Sequence, residues 1–181
     1  VLRDLVAPSR VCAVVKAQGY GHGAVEVARA ALAGGADRLA VALAAEGAEL
    51  REAGLHGPII VLSQASPDEL DDLVRHDLDA TVYTAAGVQE LAAAVAAHGP
   101  RHPVQVHLKV DTGMHRVGCA PHEAVGLALR VLERGLALDG TLVRTLDVAG
   151  ILPAGRHQVA WNGRDDRGRD LPSGLYLARL Q

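Results

Sequence analysis

The chain has 181 residues, 49% of them hydrophobic, with no phenylalanine and a formal charge of −3. That length sustains one ordinary domain, or one with a small appendage, around a core of small aliphatic side chains. The weak negative charge supplies no basic field, so nucleic acid and membrane surfaces are not expected as partners, and no apolar run reaches the roughly 20 residues a membrane span needs.

From the start, short β-branched runs alternate with alanine-rich amphipathic stretches, the pattern of strand and helix units feeding a parallel sheet. "VCAVVK" (11–16) reads as a buried strand that includes Cys12. "AVEVARAALAGG" (24–35) follows as a helix closed by glycines. "DRLAVA" (37–42) leads into "AAEGAELREAG" (44–54). "GPIIVLS" (57–63) leads into "SPDELDDLVRHD" (66–77), where Ser66 is placed to cap and Glu69 to complete a capping box. "DATVYT" (79–84) precedes a helix to about Ala97. "HPVQVHLKVD" (102–111) precedes "PHEAVGLALRVLERG" (121–135), and "LALDG" (136–140) supplies a sixth strand. The expected fold class is α/β.

Near residue 140 the character changes. Residues 1–140 hold twelve Lys plus Arg against seventeen Asp plus Glu, whereas 141–181 hold six against four. Helical periodicity also stops: "TLVRTL", "RHQVAW" and "GLYLARL" are strand-like runs separated by glycine-bearing breaks, so 141–181 reads as a small antiparallel β segment.

Arginine occurs sixteen times and lysine twice. Each lysine therefore asks for a reason, since lysine can give up its proton near neutral pH and attack a carbonyl, which arginine cannot do. Lys16 ends an apolar run directly ahead of the glycine-rich "GYGHG", at the carboxyl end of a strand, where parallel α/β sheets bind ligands. Tyr20 lies four residues on. Lys109 stands in the corresponding place in "VHLKVDTGMHRVG". The nine histidines have no metal-ligand spacing, and "GYGHG" lacks the spacing of a dinucleotide fingerprint. Cys12 and Cys119, far apart, suit packing better than nucleophilic chemistry; free thiols with no signal peptide point to a cytoplasmic location.

"AVVKAQGYGHGA" and "VHLKVDTGMHRVG" resemble the two signatures of the alanine racemase family, with "LAVALAAEGAELREAG" and "PIIVL" between them in order. The resemblance covers about residues 10–140. It implies an incomplete TIM-type (β/α) barrel of five to six units over 1–140 and interconversion of L- and D-alanine with pyridoxal 5'-phosphate as cofactor. It also implies attachment of that cofactor at Lys16, which serves as one catalytic base. Tyr20 would contact the phosphate, Arg116 the phenolic oxygen, and Lys109 would be the lysine often carbamylated in the family. A carbamate there would hold a neighbouring guanidinium by charge-assisted hydrogen bonds. The family is a homodimer whose partner subunit supplies a tyrosine as the second base; Tyr20, Tyr83 and Tyr176 have no matching context for that role. Gln18 stands where aspartate or asparagine is common. With about five and a half of eight barrel units, the chain is expected to be an impaired catalyst.

The tail, with "WNGRDDRG" followed by "PSGLY", resembles the second half of the immunoglobulin-like domains of flagellar hook-capping proteins, with Trp161 as core anchor and Asp165 and Asp166 in a turn. Two other functions follow from that: a chimeric fragment without catalysis, or an exported interaction module in which the tail is the working part.

Overall fold

The structure is a computed structural model that describes residues 2–7, 9–99 and 104–138, with Arg164, Gly168 and Arg169. The chain divides into two units, Val1–Asp139 and Gly140–Gln181. Apart from those last three residues, all that follows concerns the first unit. The strand-like runs, Trp161, Asp165 and Asp166 of the tail lie outside the described residues.

Six short strands occur in chain order: β1 (Cys12–Val14), β2 (Arg38–Val41), β3 (Ile59–Val61), β4 (Ala80–Val82), β5 (Gln105–Leu108) and β6 (Ala137–Leu138). All pairings are parallel and join consecutive strands: β1 to β2 to β3, and β4 to β5 to β6. A parallel bridge from Ile60 to Asp79 links the two trios; Val61 N–H donates to the Asp79 carbonyl at 3.0 Å and Asp79 N–H to that of Ile59 at 2.9 Å. The result is a six-strand ribbon with no reversal of order. That order belongs to a singly wound barrel; a doubly wound sheet reverses order at a switch point.

Helices occupy the connections: α1 (Leu2–Val6) ahead of β1, α2 (Lys16–Gly21) and α3 (Ala24–Ala33) after it, then α4 (Ala44–Glu52), α5 (Leu70–Arg75), α6 (Ala85–His98) and α7 (Ala124–Glu133), the last preceded by a 3₁₀ turn, Pro121–Glu123. Neighbours in the chain touch in space, α3 with α4, α4 with α5, α5 with α6 and α6 with α7, as a ring of helices on one side of a barrel wall requires. The core lies between that ring and the ribbon. Leu39, Val41, Ile59, Val61, Val82 and Val106 come from the strands and Leu50, Leu73, Val88, Leu91 and Val131 from the helices, all essentially inaccessible. β3 and β4 are buried at every residue, which explains why they read as continuous apolar runs.

Local signals set the element ends. Thr84 accepts the Gly87 N–H at 3.0 Å and caps α6. Gly34 ends α3 as the glycine pair suggested. Ser66 donates through its N–H (3.0 Å) and hydroxyl (2.7 Å) to Glu69, so Glu69 makes its half of the expected capping box, but the Ser66 hydroxyl is turned to that carboxylate and caps no helix N–H, and regular helix begins only at Leu70. One expectation fails: Cys12 is exposed, and Val14 is 39% exposed. The cause is topological, because β1 pairs with β2 alone among the described residues.

Candidate active site

Every strand is parallel, so the loops that follow them gather at one edge of the ribbon. After β1, Val15 is buried and its N–H donates to the Ala40 carbonyl at 2.9 Å. Lys16 follows at once and is half-buried. The backbone then turns left-handed: Ala17, Gln18, Gly19 and Tyr20 have φ between 52° and 58°. L residues avoid this conformation at roughly 1–2 kcal/mol each, so three residues with side chains here constitute stored strain. Gly19 relieves the fourth position; a Cβ there would lie 3.0 Å from Val27 Cγ2. Within the turn Gly19 N–H donates to the Val15 carbonyl at 3.0 Å and Gly23 N–H to that of Gln18 at 2.9 Å. Tyr20 projects into solvent, 60% exposed.

Lys109 ends β5 in the same way. Its N–H donates to the Val82 carbonyl (3.0 Å) and its carbonyl accepts from Cys119 (2.9 Å), while its amine donates to the Leu62 carbonyl at 3.0 Å. Leu62 follows β3, so the side chain reaches back past β4. All three polar groups of Lys109 are therefore engaged, and the residue roots the loop that carries Arg116. That loop folds back because Gly118, at φ +132°, brings its Cα close to strand backbone; a Cβ would fall 2.5 Å from the Asp111 nitrogen. Asp111 stabilises the loop from inside by accepting the N–H groups of Gly113 (2.9 Å) and His115 (3.0 Å). Those bonds, Gly113's first, hold its carboxyl below the usual range.

Arg116 is exposed and lines a cleft of about 480 Å³ with Tyr83, Thr84, Gly118, Cys119 and Glu123. Neither Lys16, Tyr20 nor Lys109 lines that cleft. The structure thus brings Lys16 and Lys109 to one edge of the ribbon, with Tyr20 on the turn of the first and Arg116 on the loop rooted at the second.

Two residues that the sequence did not single out knit this edge together. Glu46, in the first turn of α4, accepts the N–H of Ala17 (2.7 Å) through one oxygen and those of Ala42 (2.7 Å) and Leu43 (3.2 Å) through the other. Gln64, after β3, accepts the N–H groups of Tyr83 (3.0 Å) and Thr84 (3.1 Å) and donates to the Thr84 hydroxyl at 2.9 Å. A glutamate at the third helical position is a half capping box that could have flagged Glu46; Gln64 carries no comparable signal. Among the described residues, no group of three or more His, Cys, Asp or Glu is placed to hold a metal, and no helix is long and apolar enough to cross a membrane.

Comparison with known proteins places this edge in context. The family described as alanine racemase, N-terminal domain, matches residues 1–144, and the family described as FlgD Ig-like domain matches 137–181. The alanine racemase of Desulforamulus reducens is 48% identical over 151 residues, which are 83% of this chain and 38% of that protein. Alanine racemase 2 of Oceanobacillus iheyensis is 39% identical over 140 residues, 77% of this chain and 35% of that one. Among solved structures, alanine racemase from E. faecalis superposes with a TM-score of 0.67 at 41% identity, over 73% of this chain and 36% of that one. Alanine racemase from Clostridium difficile 630 in complex with cycloserine gives 0.65 at 35% identity, over 72% and 36%. The chain thus spans under two-fifths of the length of these relatives. By the match over residues 1–144, and by the identity to these relatives, the chain belongs to the alanine racemase N-terminal domain family.

Proposed function

We propose that this chain is the amine-bearing barrel portion of a pyridoxal-phosphate-dependent enzyme that interconverts L- and D-alanine. The observation that carries the reading is the setting of Lys16: an amine at the carboxyl edge of a parallel ribbon, on a strained turn, in a segment matched to the family. The donor set suits an anionic aldehyde. Lys16 offers the amine, Tyr20 an exposed hydroxyl and Arg116 an exposed guanidinium, and an anion is recognised by such donors.

When bound, the cofactor supplies an electron sink for the charge left by removal of an α-proton. The protein's own part is to position and to move protons. Lys16 would hold the cofactor and then take and return the α-proton on one face of the substrate. Tyr20 would donate to the phosphate and Arg116 to the phenolic oxygen. Lys109 would act as a carbamate: its amine takes up carbon dioxide, releases a proton and becomes an anion able to hold Arg116. The opposite face needs a second base, which we assign to a partner subunit in a cytoplasmic homodimer.

The test is α-proton exchange. With alanine, pyridoxal phosphate and the full chain in D2O, NMR should show loss of the α-proton signal above the rate with free cofactor. One enantiomer should exchange faster, because Lys16 serves one face, and Lys16→Ala should return the rate to background. Exchange no faster than with free cofactor would overturn the reading. The match over 137–181 favours the alternative of a chimera without catalysis, and that same null result would support it.

A further inference from the structure

Four successive left-handed residues persist only where their surroundings fix them, and the side-chain hydrogen bonds that tie Ala17 and Gln18 to the rest of the fold both go to one helix. Ala17 N–H donates to Glu46 Oε1 at 2.7 Å, and the Gln18 amide donates to Glu49 Oε2 at 3.0 Å. Both acceptors stand on α4, three residues apart and so on one face. Glu46 Oε2 meanwhile takes the N–H groups of Ala42 and Leu43. An ordinary helix cap would be complete with those two. Glu46 Oε1 is instead committed to a residue 29 positions away in the chain, the one directly after Lys16.

We propose that Glu46 is a positioning residue for Lys16, its carboxylate locking the loops after β1 and β2 together so that the strained turn holds the Lys16 amine at one place on the ribbon's edge. The proposal rests on the reading of Lys16 as the attachment point for pyridoxal phosphate. Charge is part of the device: a carboxylate accepts through both oxygens, whereas an amide at the same position accepts through one and must release either Ala17 or the pair Ala42 and Leu43.

The test compares the full chain with Glu46→Ala, Glu46→Gln and Arg51→Ala. Arg51 is the control, since it lies on the same helix and also makes three bonds to backbone, to the carbonyls of His76, Leu55 and Asp77, away from the Lys16 turn. Two quantities are read: amide hydrogen exchange over residues 16–20, and the rate at which added pyridoxal phosphate forms a borohydride-fixed adduct on Lys16. Glu46→Ala should speed exchange and slow adduct formation about tenfold or more, the factor that loss of a charge-assisted hydrogen bond carries. Glu46→Gln should fall between, and Arg51→Ala should change neither quantity beyond about twofold at equal loss of melting temperature. If Glu46→Ala does not fold, Glu46→Gln decides against Arg51→Ala. Unchanged exchange in the glutamate variants, or equal changes in Arg51→Ala, would overturn the proposal. A wild-type chain that forms no adduct would refute the cofactor reading alone, and exchange at the turn would still judge Glu46.

Discussion

Asp111 illustrates how single residues shape the edge of this ribbon. Its carboxylate accepts two loop N–H groups and its pKa is held low for that reason. A depressed folded-state value means that the contribution is present above the unfolded pKa of about 3.9 and is lost as pH falls through the lower, folded value. Following the Gly113 amide shift by NMR should therefore give a midpoint below about 3.9; a midpoint at or above it would show that the loop does not depend on this carboxylate. Gly118 has a different role, since its φ and the 2.5 Å approach to the Asp111 nitrogen leave no room for a side chain. Gly118→Ala should cost about 2–4 kcal/mol in thermal melts, and a loss under 1 kcal/mol would mean that the loop simply relocates. Partial burial pushes both thiols up, and what separates them is access: Cys119 is 3% exposed, whereas Cys12 is exposed on the open edge strand. A thiol reagent should label Cys12 in the folded chain and reach Cys119 only on unfolding.

At the scale of elements, legibility in the sequence tracked whether the deciding interactions were local. α3, α6 and the buried β3 and β4 follow from periodicity, β-branched runs and closing glycines such as Gly34, all within a few residues of each other. The place of Lys16 at a strand's end is legible for the same reason. The left-handed turn is not: Gly19 hints at it, but Ala17 and Gln18 are tied at positive φ by bonds to α4, some 30 residues on in the chain. The exposure of Cys12 is not legible either, because burial of β1 depends on what lies beside it and not on its own valines. Lys109 shows both cases: its position just after β5 is readable, its bond to the Leu62 carbonyl 47 residues away is not. Packing of the ring on the ribbon predicts that Leu73→Ala, at a fully buried site on α5, costs about 2–5 kcal/mol. A calorimetric loss below 1 kcal/mol would contradict the placement of the core.

For the molecule as a whole, a ribbon in sequential order bends toward closure, and closure removes edges. Among the described residues β1 pairs on one side only, and Val14 and Cys12 are exposed on it. Unpaired strand backbone beside apolar side chains invites pairing with another chain. Sedimentation of the 181-residue chain should accordingly show concentration-dependent association, and Val14→Lys should weaken it; a monomer at all concentrations, unaffected by that substitution, would show that the edge is protected. Under the proposed function the edge is built around one amine. Three primary amines are present if the chain's first residue is free: Lys16, Lys109 and the terminus. Reduction with borohydride after incubation with pyridoxal phosphate, followed by mass spectrometry of the peptides, measures which of them reacts. An adduct is expected on the peptide carrying Lys16, with Lys109 spared because the nitrogen of the proposed carbamate is no longer a nucleophilic amine. Adduct spread evenly over all three amines, or concentrated on Lys109, would contradict the proposed function.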